Sequence, residues 1–117
     1  MTFNWKKKTA VYIGRFQPFH EGHKNIFLKA LKSSKQVCIL VMDSHNINKK
    51  NPYSFSYVKK KINKELYEFK NSFIIIKIPV VSSVVFGRSV GYKIKRIKLS
   101  KDLEKISATK IRAKNKK

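Results

Sequence analysis

Apolar residues fall in two rhythms along this chain, unbroken short runs and one-sided stripes, and the changes between them mark its elements. Thr9 to Ile13 is a continuous apolar run and predicts a first strand of the centrally placed kind, covered on both faces. From about Glu21 to Leu31 or Lys32, the positions Ile26, Phe27 and Ala30-Leu31 make one stripe, so a helix is predicted, ended by Ser33-Ser34-Lys35. Gln36 to Met42 (QVCILVM) predicts a second buried strand. Asn51-Pro52 marks a turn, with Ser54 or Ser56 available to cap the next helix, predicted over Val58 to Phe69 with Ile62, Leu66 and Phe69 on one face. Phe73 to Val81 predicts a third strand that breaks near Pro79. Val84 to Phe86 reads as a short fourth strand and Lys93 to Leu99 as a fifth, edge-like one whose lysines discourage edge-to-edge pairing. Ile106 to Arg112 opens a last helix, with Ser107 as its N-cap. This alternation predicts an α/β fold, a three-layer sandwich with a mostly parallel, roughly five-stranded sheet. Between the third and fourth strands there is no room for a crossover helix, which a parallel pair needs. That connection is irregular, or the sheet differs there.

The length of 117 residues bounds this to one domain, 1–117, with 1–8 and 113–117 as loose ends. No apolar run approaches a membrane span, and the charged N-terminus is not followed by an apolar leader core. The single Cys38 lies in an apolar run and suits a buried thiol in a reducing cytoplasm. The formal net charge of +22 is the compositional outlier. Its lysines are spread along the chain, which favours solvated lysines from a biased composition over a dedicated nucleic-acid surface. In both readings the positive field steers anions toward the protein. Arginine is rare, so Arg15, Arg88, Arg96 and Arg112 are informative, because a planar fork of donors suits a phosphate. So small a chain is also a candidate for covering an apolar face by forming a homodimer.

The candidate chemistry is concentrated in Gly14-Arg15-Phe16-Gln17-Pro18-Phe19-His20-Glu21-Gly22-His23. The order is strand, Gly-containing loop, helix, which directs free N–H groups and the helix dipole at one point where an anion is favoured. His20 and His23, three residues apart, face that same point, and Arg15 stands in the loop. Phe16 and Phe19 read as aromatics that pack the loop. As zinc ligands the two histidines lack an obvious third partner, so no metal site is assigned. A second anion site is predicted where the Ser107 and Thr109 hydroxyls meet the first-turn N–H groups of the last helix, with Arg112 one turn on.

GRFQPFHEGH resembles the HxGH signature of the nucleotidyltransferase superfamily, specifically its adenylyltransferase branch typified by nicotinamide mononucleotide adenylyltransferases. Ile106-Ser107-Ala108-Thr109-Lys110-Ile111-Arg112 resembles that superfamily's ISxTxxR motif, and Asn51-Pro52-Tyr53-Ser54 its NPFT segment. The resemblance implies a Rossmann-like sheet and transfer of AMP from ATP to a small phosphorylated acceptor, nicotinamide mononucleotide in the lead, with pyrophosphate released. It implies His20, His23 and Arg112 as catalytic, and Gly14, Arg15, Phe16, Gln17, Ser107 and Thr109 as nucleotide- and phosphate-binding. Arg88, Gly91 and Tyr92 either line the base and ribose pocket or form a plain turn with a surface arginine. Mg²⁺ is expected on the phosphates, since no dense carboxylate cluster exists to cage it. Where the family carries an arginine after NPFT, this chain has Val58 followed by Lys59, Lys60 and Lys61; either a lysine substitutes or that contact is absent. Asp43, after the second strand, meets a ribose or metal-bound water, or only caps its loop. The alternatives are a cytidylyltransferase acting on a small phosphate such as glycerol phosphate, and a basic nucleic-acid-binding domain without catalysis.

Overall fold

The computed structural model describes residues 3–43, 47, 51–88 and 93–97. Three strands and two α-helices alternate: β1 (Ala10–Gly14), α1 (Glu21–Ser34), β2 (Val37–Met42), α2 (Phe55–Glu65) and β3 (Phe73–Ile78), with a short 3₁₀ turn at Tyr67–Phe69. The strands are parallel in the order β1-β2-β3, with Ala10 opposite Val37 and Val37 opposite Phe73. This is the predicted α/β, Rossmann-like arrangement. Both connections are strand–helix–strand units, so both ligand-facing loops leave the same, C-terminal end of the sheet.

The core explains which face the helices take. Val37, Ile39 and Val41 of β2 are buried, and period-two alternation puts them on one face. They join one cluster with Phe27 and Ala30 of α1 and with Val58, Ile62 and Leu66 of the second helical segment. Residues 58, 62 and 66 are spaced at i, i+4, i+8, one stripe of a helix, and all three are fully buried. Each such side chain contributes about 1.5–3 kcal/mol by burial, against a few tenths for an exposed helix ion pair such as Lys61–Glu65. Packing, not surface charge, therefore holds α2. Its first turn is closed by Ser54, whose Oγ accepts from Tyr57 N–H at 3.2 Å. At the other end of the sheet, the buried Gln36 amide accepts from Asn4 N–H (2.7 Å) and donates to Asn4 O and the Thr9 hydroxyl (both 2.9 Å). The lead-in to β1 is thereby tied down.

Several expectations change. Among the described residues β2, not β1, is central, and Val11 of β1 is 59% exposed. A continuous apolar run does not distinguish a central strand from an edge strand with one open face. Val84 to Phe86, expected as a fourth strand, is irregular, and Val84 and Val85 are exposed. Only residues 79–83 separate it from β3, too few for the crossover that a parallel partner requires. Lys93 to Ile97 is likewise not a strand, although Ile97 packs against the core. Residues 98–117, including the predicted last helix, lie outside the described residues. Among those described, no helix is long and apolar enough to cross a membrane.

The end of β1 carries a sharp steric constraint. A Cβ on Gly14 would stand 2.7 Å from Cζ of Phe16, closer than carbon atoms approach. Gly14→Ala is expected to destabilise the fold by about 1–3 kcal/mol, as overpacking does, seen as a lowered urea midpoint with unchanged slope. An unchanged midpoint would show that the ring yields freely.

Candidate active site

The site is built on the turn that carries the chain from β1 into α1. Phe16 takes a left-handed backbone (φ 54°), uncommon for a bulky residue, and its ring folds back over Gly14. There it meets Tyr12 edge-on (centroids 5.1 Å apart), Phe19 (5.7 Å) and His23 edge-on (5.0 Å). Phe16 and Phe19 are both buried. The side chain of Phe16, placed by resemblance among the nucleotide-binding residues, is thus a core group that fixes the loop and has no free face for a ligand. Gly14 was expected to let a triphosphate approach the loop; here its lack of a side chain makes room for Phe16.

His20 is the N-cap of α1, and the two histidines complete a reciprocal cap. His20 Nδ1 accepts from Gly22 N–H at 3.0 Å, and His23 Nδ1 accepts from His20 N–H at 3.1 Å. A neutral imidazole whose Nδ1 accepts must carry its proton on Nε2. Both rings therefore offer an Nε2–H donor, and they lie stacked with centroids 3.9 Å apart. Burial pushes the His20 pKa below its ordinary value. Burial, and then the charge that His20 would carry, push His23 down to about 3. The pair is neutral at physiological pH: two donors that do not repel one another.

Arg15, in the same β1–α1 loop, is exposed, with Nη1 3.3 Å from Asn51 Oδ1. Gln17, expected at the nucleotide, is instead buried and turned toward the lead-in of α2: its Nε2 donates to Tyr53 O (3.0 Å) and its Oε1 accepts from Tyr53 N–H (2.9 Å). The peptide bond between Gln17 and Pro18 is cis. A cleft of about 250 Å³ runs from His20 between α1 and α2, lined by Pro18, Phe19, Glu21, Lys24, Tyr57, Lys61 and Glu65.

This geometry answers the question raised by the missing arginine. Val58 is fully buried in the core, so no phosphate contact is made from that position. Lys59 and Lys60 point to solvent, while Lys61 lines the cleft with His20. Of the three lysines offered as substitutes for the arginine, Lys61 is thus the one at the cleft; Lys24 was not singled out from the sequence, though a signal existed: it stands four residues after His20, one turn along the same helix face. Asp43 pairs with Lys77 at 3.5 Å and donates its N–H to Ile78 O at 2.9 Å, so it extends the β2–β3 ladder. Arg88 is exposed after the irregular 79–86 segment. Gly91, Tyr92, Ser107, Thr109 and Arg112 lie outside the described residues.

The buried, neutral His23 makes a stability prediction with a definite sign. Its folded pKa lies below the unfolded value near 6.5, so the unfolded chain binds the extra proton first as pH falls. Stability is expected to drop from about pH 6 to pH 5 by up to roughly 1.4 kcal/mol more in the wild-type chain than in His23→Gln. Parallel pH dependence in the two would contradict this burial.

Comparison with known proteins fits the geometry. Residues 11–64 match the cytidylyltransferase-like family. The phosphopantetheine adenylyltransferase of Mycoplasma mycoides subsp. mycoides is 42% identical over 69 residues, 59% of this chain and 48% of that protein. That of Mycoplasma capricolum subsp. capricolum is 38% identical over the same length and the same shares. The chain thus spans about half the length of these curated relatives. A bifunctional NMN adenylyltransferase/ADP ribose pyrophosphatase from Francisella tularensis superposes with a TM-score of 0.58 at 36% identity, covering 63% of this chain and 23% of that one. The same protein complexed with AMP and an Mn ion superposes equally well. All of β1, α1, β2 and nearly all of α2, apart from Ala10 and Glu65, fall within the matched 11–64 stretch. The resemblance carried by GRFQPFHEGH is borne out as a likeness: residues 11–64 match the cytidylyltransferase-like family, and the similar proteins are adenylyltransferases of the nucleotidyltransferase superfamily.

Proposed function

We propose that this chain binds ATP and transfers its AMP moiety to a small phosphorylated acceptor, releasing pyrophosphate. The observation that carries this reading is the His20–His23 pair, two neutral imidazoles with Nε2–H donors at the start of α1, in the same loop-to-helix turn that carries Arg15. An acceptor phosphate oxygen attacks the α-phosphorus, a new P–O bond forms, and the bond to the pyrophosphate oxygen breaks. The acceptor is already anionic, so no general base is required. Catalysis consists of positioning and of donors aimed at the oxygens on which charge builds. His20 and His23 serve there, and a neutral donor keeps its proton throughout. Arg15 supplies the full positive charge, with Lys24 and Lys61 further along the cleft. Ser107, Thr109 and Arg112 complete the hold on the β- and γ-phosphates, and Arg88, Gly91 and Tyr92 border the base.

Mg²⁺ would arrive on the phosphates. Among the described residues no three His, Cys, Asp or Glu side chains are grouped to hold a metal, and Mg²⁺ commonly binds through substrate phosphates and its own waters. Bound there, it would neutralise phosphate charge. Two acceptors have support: nicotinamide mononucleotide from the motif and the Francisella neighbour, and phosphopantetheine from the mycoplasmal relatives. A cytoplasmic setting accords with the single free Cys38, whose thiol burial pushes up, away from the reactive thiolate.

The test is pyrophosphate release with each of the four NTPs, Mg²⁺, and an acceptor panel of nicotinamide mononucleotide, phosphopantetheine, flavin mononucleotide and glycerol phosphate. Acceptor-dependent release with ATP alone is expected, lowered by about 100-fold or more in His23→Ala with the circular dichroism spectrum retained. Release with CTP alone would move the chain to cytidylyl transfer. Absence of nucleotide binding, with salt-sensitive nucleic-acid binding that survives His23→Ala, would replace the enzymatic reading.

A further inference from the structure

We propose that Gln17 is a positioning residue for the phosphate grip: its amide fixes where Asn51, and through it Arg15, stands, without touching the nucleotide. This rests on the nucleotide-binding reading of the site. Two rungs join the β1–α1 loop to the lead-in of α2, each spanning 36 residues of sequence. The inner rung is the Gln17 amide, which meets both the N–H and the carbonyl of Tyr53 at 2.9 and 3.0 Å. The outer rung is the 3.3 Å contact of Arg15 with Asn51, two residues earlier on each stretch of chain.

The two rungs are unequal. Gln17 is only 7% exposed, so its bonds escape competition from water and their loss leaves buried groups unpaired. Arg15 is exposed, and its contact is long and made to a neutral acceptor. The buried rung therefore sets the register and the exposed rung follows it. Two further contacts stiffen the same segment: Ser54 caps α2, and Tyr53 stacks on Tyr57 with centroids 4.5 Å apart and rings 14° from parallel. The Gln17 amide meets Tyr53 through both its nitrogen and its oxygen, and the residue is buried, so these bonds hold it toward the lead-in of α2.

A double-mutant cycle on the full chain tests this, with inorganic tripolyphosphate as the probe in titration calorimetry. Gln17→Met keeps the volume and removes both bonds. It is expected to weaken tripolyphosphate binding about tenfold, as Arg15→Ala does, while the double variant is no weaker than Arg15→Ala alone within about twofold. Gln17→Glu adds a reading that a merely structural role would not give. Ionised, it sets a charge against the Tyr53 carbonyl; protonated, its carboxylic acid reproduces both bonds. Its affinity relative to wild type at the same pH is expected to recover as pH falls from about 8 to 5, since burial and the facing carbonyl raise that carboxyl's pKa. Wild-type affinity in Gln17→Met, losses that multiply in the double variant, or a Gln17→Glu ratio flat with pH would each overturn the proposal. So would failure of the wild-type chain to bind tripolyphosphate. Binding that obeys the cycle, with no pyrophosphate release from any NTP, would sink the transferase reading and leave the role of Gln17 standing.

Discussion

One buried ring governs the geometry of this site. Phe16 leaves β1 in a left-handed turn and lies back over Gly14, where nothing larger than hydrogen fits. Its burial against Tyr12, Phe19 and His23 makes the loop part of the hydrophobic core. A loop so anchored keeps its polar groups in place before any ligand arrives. Arg15 is turned outward, Gln17 inward, and the two histidines sit on the first turn of α1. Preorganisation of donors is what a phosphoryl-transfer site demands, because groups that must move at the moment of reaction contribute less.

Burial also decides the charge of the site. Two imidazoles with centroids 3.9 Å apart repel strongly if both are cations, and the low dielectric around His23 disfavours even one. The chain resolves this with backbone N–H groups on each Nδ1, which leave both rings neutral and both Nε2 atoms as donors. Full positive charge is displaced to the rim, to Arg15 and the cleft lysines, and to the general field of a chain with a net charge of +22. On the proposed reading, attraction over distance and stabilisation at the reacting atoms fall to different groups.

Much of this was legible in the residues. Unbroken apolar runs located β1, β2 and β3, and the stripe at Ile62, Leu66 and Phe69 located the second helical segment, though α2 itself starts earlier, at Phe55, and ends at Glu65, with Phe69 in the 3₁₀ turn that follows. The His20–His23 spacing correctly placed both rings at one helix start. Three kinds of fact were not legible. The rank of β1 in the sheet depends on which strand lies beside it, and a run of apolar residues carries no such address. Val84 to Phe86 has strand-like composition, but only residues 79–83 join it to β3, too few for a parallel crossover. The tie from Gln17 to Tyr53 joins residues distant in sequence through backbone atoms, which leave no mark on residue type. Gly14 was seen but given a ligand-based reason, when a ring two residues away supplies a steric one.

The central claim is that the site presents two neutral imidazoles, each protonated on Nε2, to a phosphate. Nitrogen-15 NMR of the histidine side chains, recorded near neutral pH with and without ATP, tests it most directly. The account requires both His20 and His23 to show the Nε2–H tautomer in the free protein and both Nε2 resonances to shift as ATP binds. Nδ1–H tautomers, imidazolium forms at neutral pH, or Nε2 resonances indifferent to saturating ATP would contradict it.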